Sequence, residues 1–406
     1  MGGGGGVAAR RGNAGLDSMT LAPAIRAGSV DDVIAAVRDA GAHATPLRVV
    51  GAGQWLDAGH PVAAHATMLD VSAVRGIVEY TPGDLTLTAR AGTTLAELDD
   101  ATTAHGQWCP LQAWGPDDGT LGATFATATA GPCSAALGLP RDLALGVEFV
   151  DGRGELVRGG GRVVKNVAGF DLTRLLVGSW GSLGVITEVS VRLRARPAVD
   201  ETWAVAIDAL DERALARIDA LRAGDAAPLA LELLNAALAA HLGLPARMHV
   251  LTRIGGNAAF VAAARLAVAA VGPATAHDPS LWLRLRAAEP PGWVTIRAST
   301  RRSQWTELAE WMATGGGRGN GGAPTAMVHL SIARAVLRLI APAAGRDDGF
   351  TIAVPAPTRI QERPAMHDWR GSDPTGTFRS TAALALAARV HQAFDPHRIL
   401  NPGILG

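Results

Sequence analysis

Hydrophobic positions along the chain follow two different periods, which indicates a mixture of helices and strands. Ser29 and Asp32 precede the apolar run Val33–Val37, and Gly41 follows it, so this stretch predicts a capped helix with a glycine stop. Leu47–Val50 is a short apolar run typical of a buried strand. Further strands are predicted at Met68–Val71, Gly76–Tyr80 and Leu85–Arg90, the last with strict period-two alternation.

The next hundred residues continue this mixture. Thr94 and Glu97 form a capping-box pattern, which predicts a helix that runs to about His105. Small residues dominate 120–132, as expected either for a helix whose backbone packs closely against a planar ligand while its N-terminal amides point at an anion, or for tight packing of a helix against a strand. Asp151–Gly154 predicts a hairpin turn after the strand that ends at Val150, and Leu183–Leu193 predicts another strand.

After Pro197 the pattern changes to Ala-rich helices between short strands, which favours an α+β layer. Helices are predicted at Glu212–Leu221, at Leu229–Leu244 and from Arg379 to about Ala393. Short strands are predicted at Met248–Thr252 and Trp293–Ala298, and Gly315–Gly322 predicts a flexible loop.

Composition excludes several classes of protein. The 406 residues carry 37 basic and 37 acidic side chains, which argues against bulk electrostatic binding of nucleic acid. Cys109 and Cys133 provide neither a disulfide framework nor the ligands of a metal or iron–sulfur centre. No apolar stretch is long enough to predict a transmembrane segment, and the glycine run Gly2–Gly6 predicts a disordered N-terminus without a signal peptide. An intracellular, reducing setting is expected.

Two glycine-rich segments are candidates for ligand binding. Gly51 to Leu56 follows a strand, but Leu56 stands where a dinucleotide fingerprint needs its third glycine, so a Rossmann site is not expected. The main-chain N–H groups of such a loop can still hold a pyrophosphate. Gly178, Gly181 and Gly184 recur every three residues, and they fit either a tight turn or close approach of a flat ligand.

One segment carries a family resemblance. The run KNVAGFDL at 165–172 and the run GSLGVITE at 181–188 resemble the signature of the flavin-binding subunits of glycolate oxidase. These subunits belong to the vanillyl-alcohol-oxidase, or PCMH-type, FAD-binding flavoproteins. Lys165 is the only lysine of the chain, which indicates either chance in an Arg-rich sequence or a site that needs a compact ammonium group. The ending Phe394-Asp395-Pro396 with Asn401-Pro402-Gly403 resembles the terminal motif of the same family.

The resemblance implies an α+β fold in which a PCMH-type FAD-binding domain of two subdomains precedes an α+β cap. The C-terminal segment is expected to return to the flavin domain. The corresponding boundaries are 1–19 for a disordered N-terminus, 20–197 for the FAD-binding domain, 198–375 for the cap or substrate-type domain, and 376–406 for the returning helix and tail.

The resemblance also implies the residues that contact FAD, and it places Asn166 and Asp171 near the ring and the neighbouring subdomain. Some members of the family attach the flavin covalently through a histidine in the 51–55 loop. No histidine lies between Gly51 and Trp55, and His60 lies beyond this loop, so non-covalent FAD is expected. No metal is expected. The implied contacts are Gly51, Ala52, Gly53, Gln54, Trp55, Pro110, Thr120, Leu121, Gly122, Ala123, Gly131, Lys165, Gly184, Val185, Ile186 and Asn401.

The sequence does not identify the catalytic residues. Oxidation of a 2-hydroxy acid by a flavin needs a group that binds the carboxylate and a base for the hydroxyl proton. The candidate bases in the C-terminal third, His329, His367, His391 and His397, form no metal-ligand cluster, and His391 is expected at the surface. The segment 353–358 lacks the Gly-Gly-His that relatives tend to carry there, and Arg297 only loosely matches the family's Trp-Arg strand.

The implied function is that of an FAD-binding subunit of a glycolate, or D-2-hydroxyacid, oxidase or dehydrogenase complex. Its partners would be a catalytic flavoprotein subunit, an iron–sulfur subunit and a small 2-hydroxy acid. The expected location is cytoplasmic, with any contact to the inner face of the membrane made through partners. Two alternatives stay open at this point: a self-sufficient FAD-dependent D-2-hydroxyacid dehydrogenase, and a non-catalytic scaffold subunit.

Overall fold

The computed structural model describes residues 24–56, 58, 62–63, 65–161, 171–290, 293–315, 326–342, 359–363 and 381–405. The expected disordered N-terminus, Lys165, Asn166, His367, the segment 353–358 and most of the glycine-rich loop at 315–322 lie outside these ranges. No helix in the described ranges is both long enough and apolar enough to cross a membrane.

The first unit is a parallel three-stranded sheet in the order β1-β3-β2, covered by helix α1. Its elements are β1 (Ala24–Arg26), α1 (Val30–His43), β2 (Leu47–Val50) and β3 (Thr67–Asp70). The capping box of Ser29 and Asp32 is present, as predicted. The predicted stop at Gly41 is wrong, because the helix continues through Gly41 and ends where Ala44 adopts the left-handed conformation at φ 49°.

The second unit is an antiparallel five-stranded sheet in the order β4-β5-β9-β7-β8. Phe125 and Phe149 are buried between this sheet and its helices. Its strands, with the short pair β6–β10, are β4 (Ile77–Thr81), β5 (Thr86–Arg90), β6 (Gln107–Trp108), β7 (Ala144–Val150), β8 (Leu156–Gly160), β9 (Val185–Arg192) and β10 (Arg194–Ala195). Its helices are α2 (Leu95–Thr103), α3 (Leu121–Thr127), α4 (Ser134–Leu137), α5 (Pro140–Leu143) and α6 (Leu172–Leu176).

The third unit is an antiparallel eight-stranded sheet in the order β14-β11-β13-β12-β16-β17-β15-β18. Its strands are β11 (Val199–Ile207), β12 (Ala230–Leu234), β13 (Met248–Gly256), β14 (Ala274–His277), β15 (Trp293–Ser299), β16 (Met327–Ser331), β17 (Val336–Pro342) and β18 (Arg359–Arg363). Its helices are α7 (Glu212–Ala223), α8 (Ala236–His241), α9 (Ala258–Val271), α10 (Ser280–Arg286) and α11 (Trp305–Ala313).

The predicted helix at Leu229–Leu244 is wrong over its first half. Ala230–Leu234 is a fully buried strand, and Asn235 then caps the short helix α8 by accepting the N–H of Leu238 at 2.9 Å. The Ala- and Leu-rich composition favours a helix, but pairing with β13 and β16 on both sides outweighs that local preference.

Both faces of the eight-stranded sheet carry apolar clusters, but one of them also carries a set of charged side chains. One face is apolar and packs under α7, α9 and α11. We call the opposite side the polar face, and it carries the buried or half-buried side chains of Asp200, Glu232, Arg253, His329 and Arg338. The polar face is turned toward the second unit: the indole of Trp114 lies against the His329 ring at a centroid distance of 4.8 Å.

The C-terminal segment returns to the first two units, as the resemblance predicts. Helix α12 (Thr381–Phe394) leads into a tail whose Ile399 and Leu400 are buried in the core beside α1. The N–H of Leu47 donates to Ile399 O at 2.7 Å, so the tail extends the first sheet next to β2. The exact domain boundaries stay a prediction.

Candidate functional site

A pocket opens between the first sheet and the second unit, with a free volume of about 750 Å³ including its mouth. We call it the central pocket. It is lined by four groups of residues that are distant in the sequence: Arg48 to Leu56 with Val71 and Ala91; Thr120, Gly122, Ala123, Ala126 and Thr127 from α3; Trp180, Gly181, Gly184 and Ile186; and Asn401 from the tail.

The first wall of the pocket is the turn that follows β2. The N–H groups of Gly51, Ala52 and Gly53 have no acceptor among the described residues. Arg48, which also lines the pocket, donates to Trp55 O and Leu56 O at 3.4 Å and so holds the turn in place. Free main-chain donors beside a guanidinium form an environment suited to a phosphate.

The second wall is the small-residue face of α3. Gly51 is packed so tightly on this helix that a Cβ at position 51 would collide with Thr120 Oγ1. Ala123, Ala126 and Thr127 present only short side chains to the pocket, so its interior is a narrow slot. Such a slot has a shape that fits a flat group, which was one of the two interpretations of this small-residue segment.

The expectation that the N-terminal amides of α3 point at an anion is wrong. Leu121 N donates to Thr93 O and Gly122 N to Ala91 O, both at 2.8 Å, and Ala123 N donates to the capping Thr120 hydroxyl. These donors already have partners inside the protein. Helix α3 therefore offers a surface to a ligand, and the turn at 51–53 offers the donors.

The third wall comes from the glycine repeat before β9. Gly181 and Gly184 line the pocket together with Ile186, and the indole of Trp180 meets that of Trp55 edge-on at 6.3 Å. Four of the lining residues were not predicted from the sequence: Arg48, Ala126, Thr127 and Trp180. The position of Trp180 inside the glycine repeat 178–184 was a signal for it.

Asn401 closes the pocket by joining two of its walls. Its Oδ1 accepts the N–H of Val49 at 2.8 Å, and its Nδ2 donates to Trp180 O at 2.7 Å. The side chain is 3% exposed, and its backbone lies in the left-handed region at φ 43°, which Asn tolerates better than most residues. The terminal motif therefore acts as a clamp across the pocket.

Some residues that the resemblance implied do not line the pocket. Leu121 is fully buried in the core of the second unit, and Val185 is fully buried in the core beside α1 and the first sheet. Their side chains point away from those of Ala123 and Ile186, which line the pocket. Gly131 packs against the Gln112 carbonyl instead. Pro110 is buried away from the pocket, Asp171 is exposed and caps α6, and Lys165 lies outside the described residues.

Residues 109–118, which we call the linking loop, connect the central pocket to the polar face. At one end, the Asp118 carboxylate accepts a hydrogen bond from Gln54 of the first wall. At the other end, Arg286 of α10 donates to Ala113 O at 3.0 Å and to the Asp117 carboxylate at 2.5 Å. The Arg338 guanidinium lies over the Trp114 ring at 4.3 Å.

The polar face contains an acid–base pair that the sequence analysis did not find. His329 Nδ1 lies 2.9 Å from Glu232 Oε2, and both side chains are almost completely buried. Glu232 Oε1 has no partner among the described residues. The two residues are 97 positions apart, so no local spacing could reveal the pair. Of the other candidate bases, His391 is half-buried on α12 and His397 is exposed on the tail.

The described residues include no group of three or more His, Cys, Asp and Glu side chains that could hold a metal ion.

The first two units enclose a glycine-lined slot that has free amides at one end. Residues 22–160 match the FAD binding domain family. A solved structure of alkyldihydroxyacetonephosphate synthase shows the same fold with a TM-score of 0.66 and 15% sequence identity, covering 93% of this chain and 76% of that one.

The curated relatives include subunits of an oxidase. The chain is 43% identical over 155 residues to glycolate oxidase subunit GlcE of Escherichia coli, covering 38% of this chain and 43% of that protein. It is 30% identical over 193 residues to glycolate oxidase subunit GlcD of Bacillus subtilis, covering 48% of this chain and 41% of that protein. The chain thus spans less than half the length of these relatives.

Proposed function

We propose that this chain is an FAD-binding subunit of an enzyme complex that oxidises glycolate or a related D-2-hydroxy acid to a 2-oxo acid. The central pocket carries this proposal. Segments near residues 51, 120 and 184, predicted separately to contact a flavin, lie around one slot. The similarity to two glycolate oxidase subunits supports the choice of substrate class.

The residues of the pocket suit the parts of FAD. The free N–H groups of Gly51 to Gly53, with Arg48, would bind the diphosphate, and the short side chains of α3 would lie along the flat ring. No histidine stands between Gly51 and Leu56, so we propose that FAD is held without a covalent bond. The bound flavin would supply the redox chemistry, and the protein would position the substrate and exclude water.

The electrons must leave the flavin by way of another molecule. The whole chain has two cysteines, too few for the four ligands of an iron–sulfur cluster. We therefore propose an iron–sulfur subunit and a catalytic flavoprotein subunit as partners. The proposed setting is cytoplasmic, with any contact to the inner face of the membrane supplied by these partners.

A second candidate function is that of a dehydrogenase that acts without partners. The His329–Glu232 pair favours it, because a histidine oriented by a buried carboxylate is a suitable base for a substrate hydroxyl. In this case, the polar face above the linking loop would be the substrate site, and His329 would accept the hydroxyl proton.

Purification of the chain alone and with its proposed partner subunits tests both candidates. We expect flavin absorption bands in the chain alone. We expect the bands to bleach rapidly when glycolate or D-lactate is added anaerobically only if the partner subunits are present. Rapid bleaching of the isolated chain, abolished by His329→Ala, would establish the second candidate. A colourless chain that binds no added FAD would contradict both and support a scaffold role.

A further inference from the structure

Helix α9 is apolar on the side that faces solvent as well as on the side that packs on the sheet. Arg265 is the only polar residue of this helix, and its other exposed positions are alanines and Leu266. Leu266 is 74% exposed, the highest value among the large apolar side chains that the structure describes. A helix that is apolar all round is normally buried, so the outer side of α9 has the composition of a covered surface.

A recess adjoins this side of α9, and we call it the outer recess. Its volume is about 1100 Å³ with the open mouth included, and Trp203, Leu266 and Ala274 are among the residues that line it. Trp203 packs under the helices, on the side of the sheet away from the polar face. Its indole N–H and the guanidinium of Arg265 donate to Glu201 Oε2 at 3.0 and 2.7 Å, so the charge of Arg265 is already neutralised.

The outer recess lies beside an edge of the eight-stranded sheet. Strand β14 is last in the sheet and, within the described ranges, pairs only with β11. Its sequence, Ala-Thr-Ala-His, contains no residue that ordinarily prevents another strand from adding to an edge. The strand at the opposite edge, β18, does contain such residues, namely Arg359, Glu362 and Arg363. The two edges therefore differ, and β14 is the one that can accept a further strand.

One charge at the outer recess has no partner in the described part of the chain. Arg217 of α7 lines the recess, is exposed, and forms no ion pair with any described residue. No described residue that lines the recess is acidic. A second copy of this chain, seated on the same surface about a two-fold axis, would bring guanidinium groups toward each other. A segment that carries a carboxylate would be complementary instead.

We propose that the outer recess and the edge of β14 form a docking site for an extended, acidic segment of a partner subunit. The segment would add a strand to β14 through main-chain hydrogen bonds, place an apolar side chain against Leu266, and pair a carboxylate with Arg217. The inference rests on the proposed function for the existence of partner subunits. Because the site lies on the far side of the sheet, docking would leave the polar face unobstructed.

The affinity of the purified, FAD-loaded chain for its proposed partner subunits tests the site. We expect Leu266→Glu and Arg217→Glu each to weaken this affinity about tenfold or more, and Arg217→Lys, which keeps the charge, to weaken it less. Leu386→Glu is the matched control, because Leu386 is a leucine of α12 that is 60% exposed and does not line the recess. Thermal melts and the FAD content check that each variant is folded.

Hydrogen exchange locates the docked segment independently of the variants. Amide hydrogens within 274–277 that point away from β11 should exchange more slowly in the complex than in the free chain, because the added strand accepts them. Those of β18, at the other edge of the sheet, should exchange at the same rate in both states.

The outcomes separate this inference from the proposed function. A complex that keeps its wild-type affinity in both Glu variants, with no new protection at 274–277, would overturn the docking site and leave the proposed function intact. A wild-type chain that binds FAD but no partner subunit would contradict the proposed complex and the docking site together. A chain that dimerises on its own, and no longer does so as Leu266→Glu, would show that a second copy covers the recess and would overturn the partner segment.

Discussion

The central pocket and the polar face are built in opposite ways. The pocket consists mainly of main-chain groups and small side chains placed by turns and by one short helix, and Arg48, Trp55 and Trp180 also line it. The polar face consists of charged side chains whose partners are distant in sequence, such as Arg253 and Gln112, which are 141 positions apart. The first kind of site leaves local traces in a sequence, and the second appears only when the chain is folded.

The difference has a consequence for stability. A pocket of free amides and alanines can be left empty at little cost, since its donors can be hydrated. A buried carboxylate or guanidinium must keep its partner. We therefore expect mutations of the polar face to act mainly on folding, and mutations of the pocket to act mainly on FAD.

The largest effect is expected for Glu232→Ala. It removes one member of a buried pair and leaves His329 without its partner, which should cost about 3–5 kcal/mol of unfolding free energy. Chemical denaturation measures this loss, and the folded fraction should still bind FAD. Glu232→Gln, which keeps an acceptor for His329, is the control. If Glu232→Ala is as stable as wild type, the polar face does not depend on this pair.

The next effect is expected for Ala123→Glu in the pocket. Ala123 is the third residue of α3 after the capping Thr120, so a glutamate there would reproduce the capping box that Thr94 and Glu97 form on α2. The helix should not suffer, but a negative charge in the slot should weaken FAD binding at least ~100-fold, about 2.7 kcal/mol.

Titration of the apo-protein with FAD measures this change, and Ala123→Ser is the matched neutral variant. A substitution at the neighbouring Gly122 would be a poorer test of FAD binding. A Cβ there would lie 2.6 Å from the Cβ of Ala91, so the variant would disturb the packing of α3 as well as the pocket. An Ala123→Glu protein that binds FAD like wild type would show that α3 is not a wall of the flavin site.

A smaller effect is expected for Asn401→Ala. It removes two hydrogen bonds, to the half-buried Val49 N–H and the half-buried Trp180 C=O, which should cost about 1–3 kcal/mol of unfolding free energy in total and speed the release of FAD. Asn401→Asp keeps the acceptor for Val49 and should lie between alanine and wild type. Equal melting temperatures for all three proteins would mean that the tail does not clamp the pocket.

The smallest effect concerns the buried thiol of Cys133. Burial raises its pKa from 9.0 to about 11, so the folded chain holds this proton more tightly than the unfolded chain. This contribution to stability is present below pH 9 and is lost as the pH rises toward 11. We expect roughly 1 kcal/mol less stability at pH 10 than at pH 8, and we expect Cys133→Ala to remove that part of the pH dependence. If the unfolding free energy of Cys133→Ala falls between pH 8 and pH 10 as steeply as that of wild type, the buried thiol is not the cause of the decrease.

The same contrast explains what the sequence could predict. The caps at Ser29 and Thr94, the turn at 51–55 and the returning tail follow from local rules and a short motif, and the structure contains them. The strand at Ala230–Leu234 could not be predicted, because its neighbours β13 and β16 come later in the chain and override an Ala-rich helical composition. Arg48 looked like an ordinary strand residue, and only the folded loop shows its role.

The central claim is that the turn at 51–53, the face of α3 and the glycine repeat form one FAD site. The most direct measurement is the stoichiometry of FAD released when the purified chain, saturated with FAD and freed of excess, is denatured. We predict one FAD per chain, all of it recovered in solution, and almost none from Ala123→Glu. No FAD bound by the wild-type chain, or equal amounts bound by both proteins, would contradict the claim.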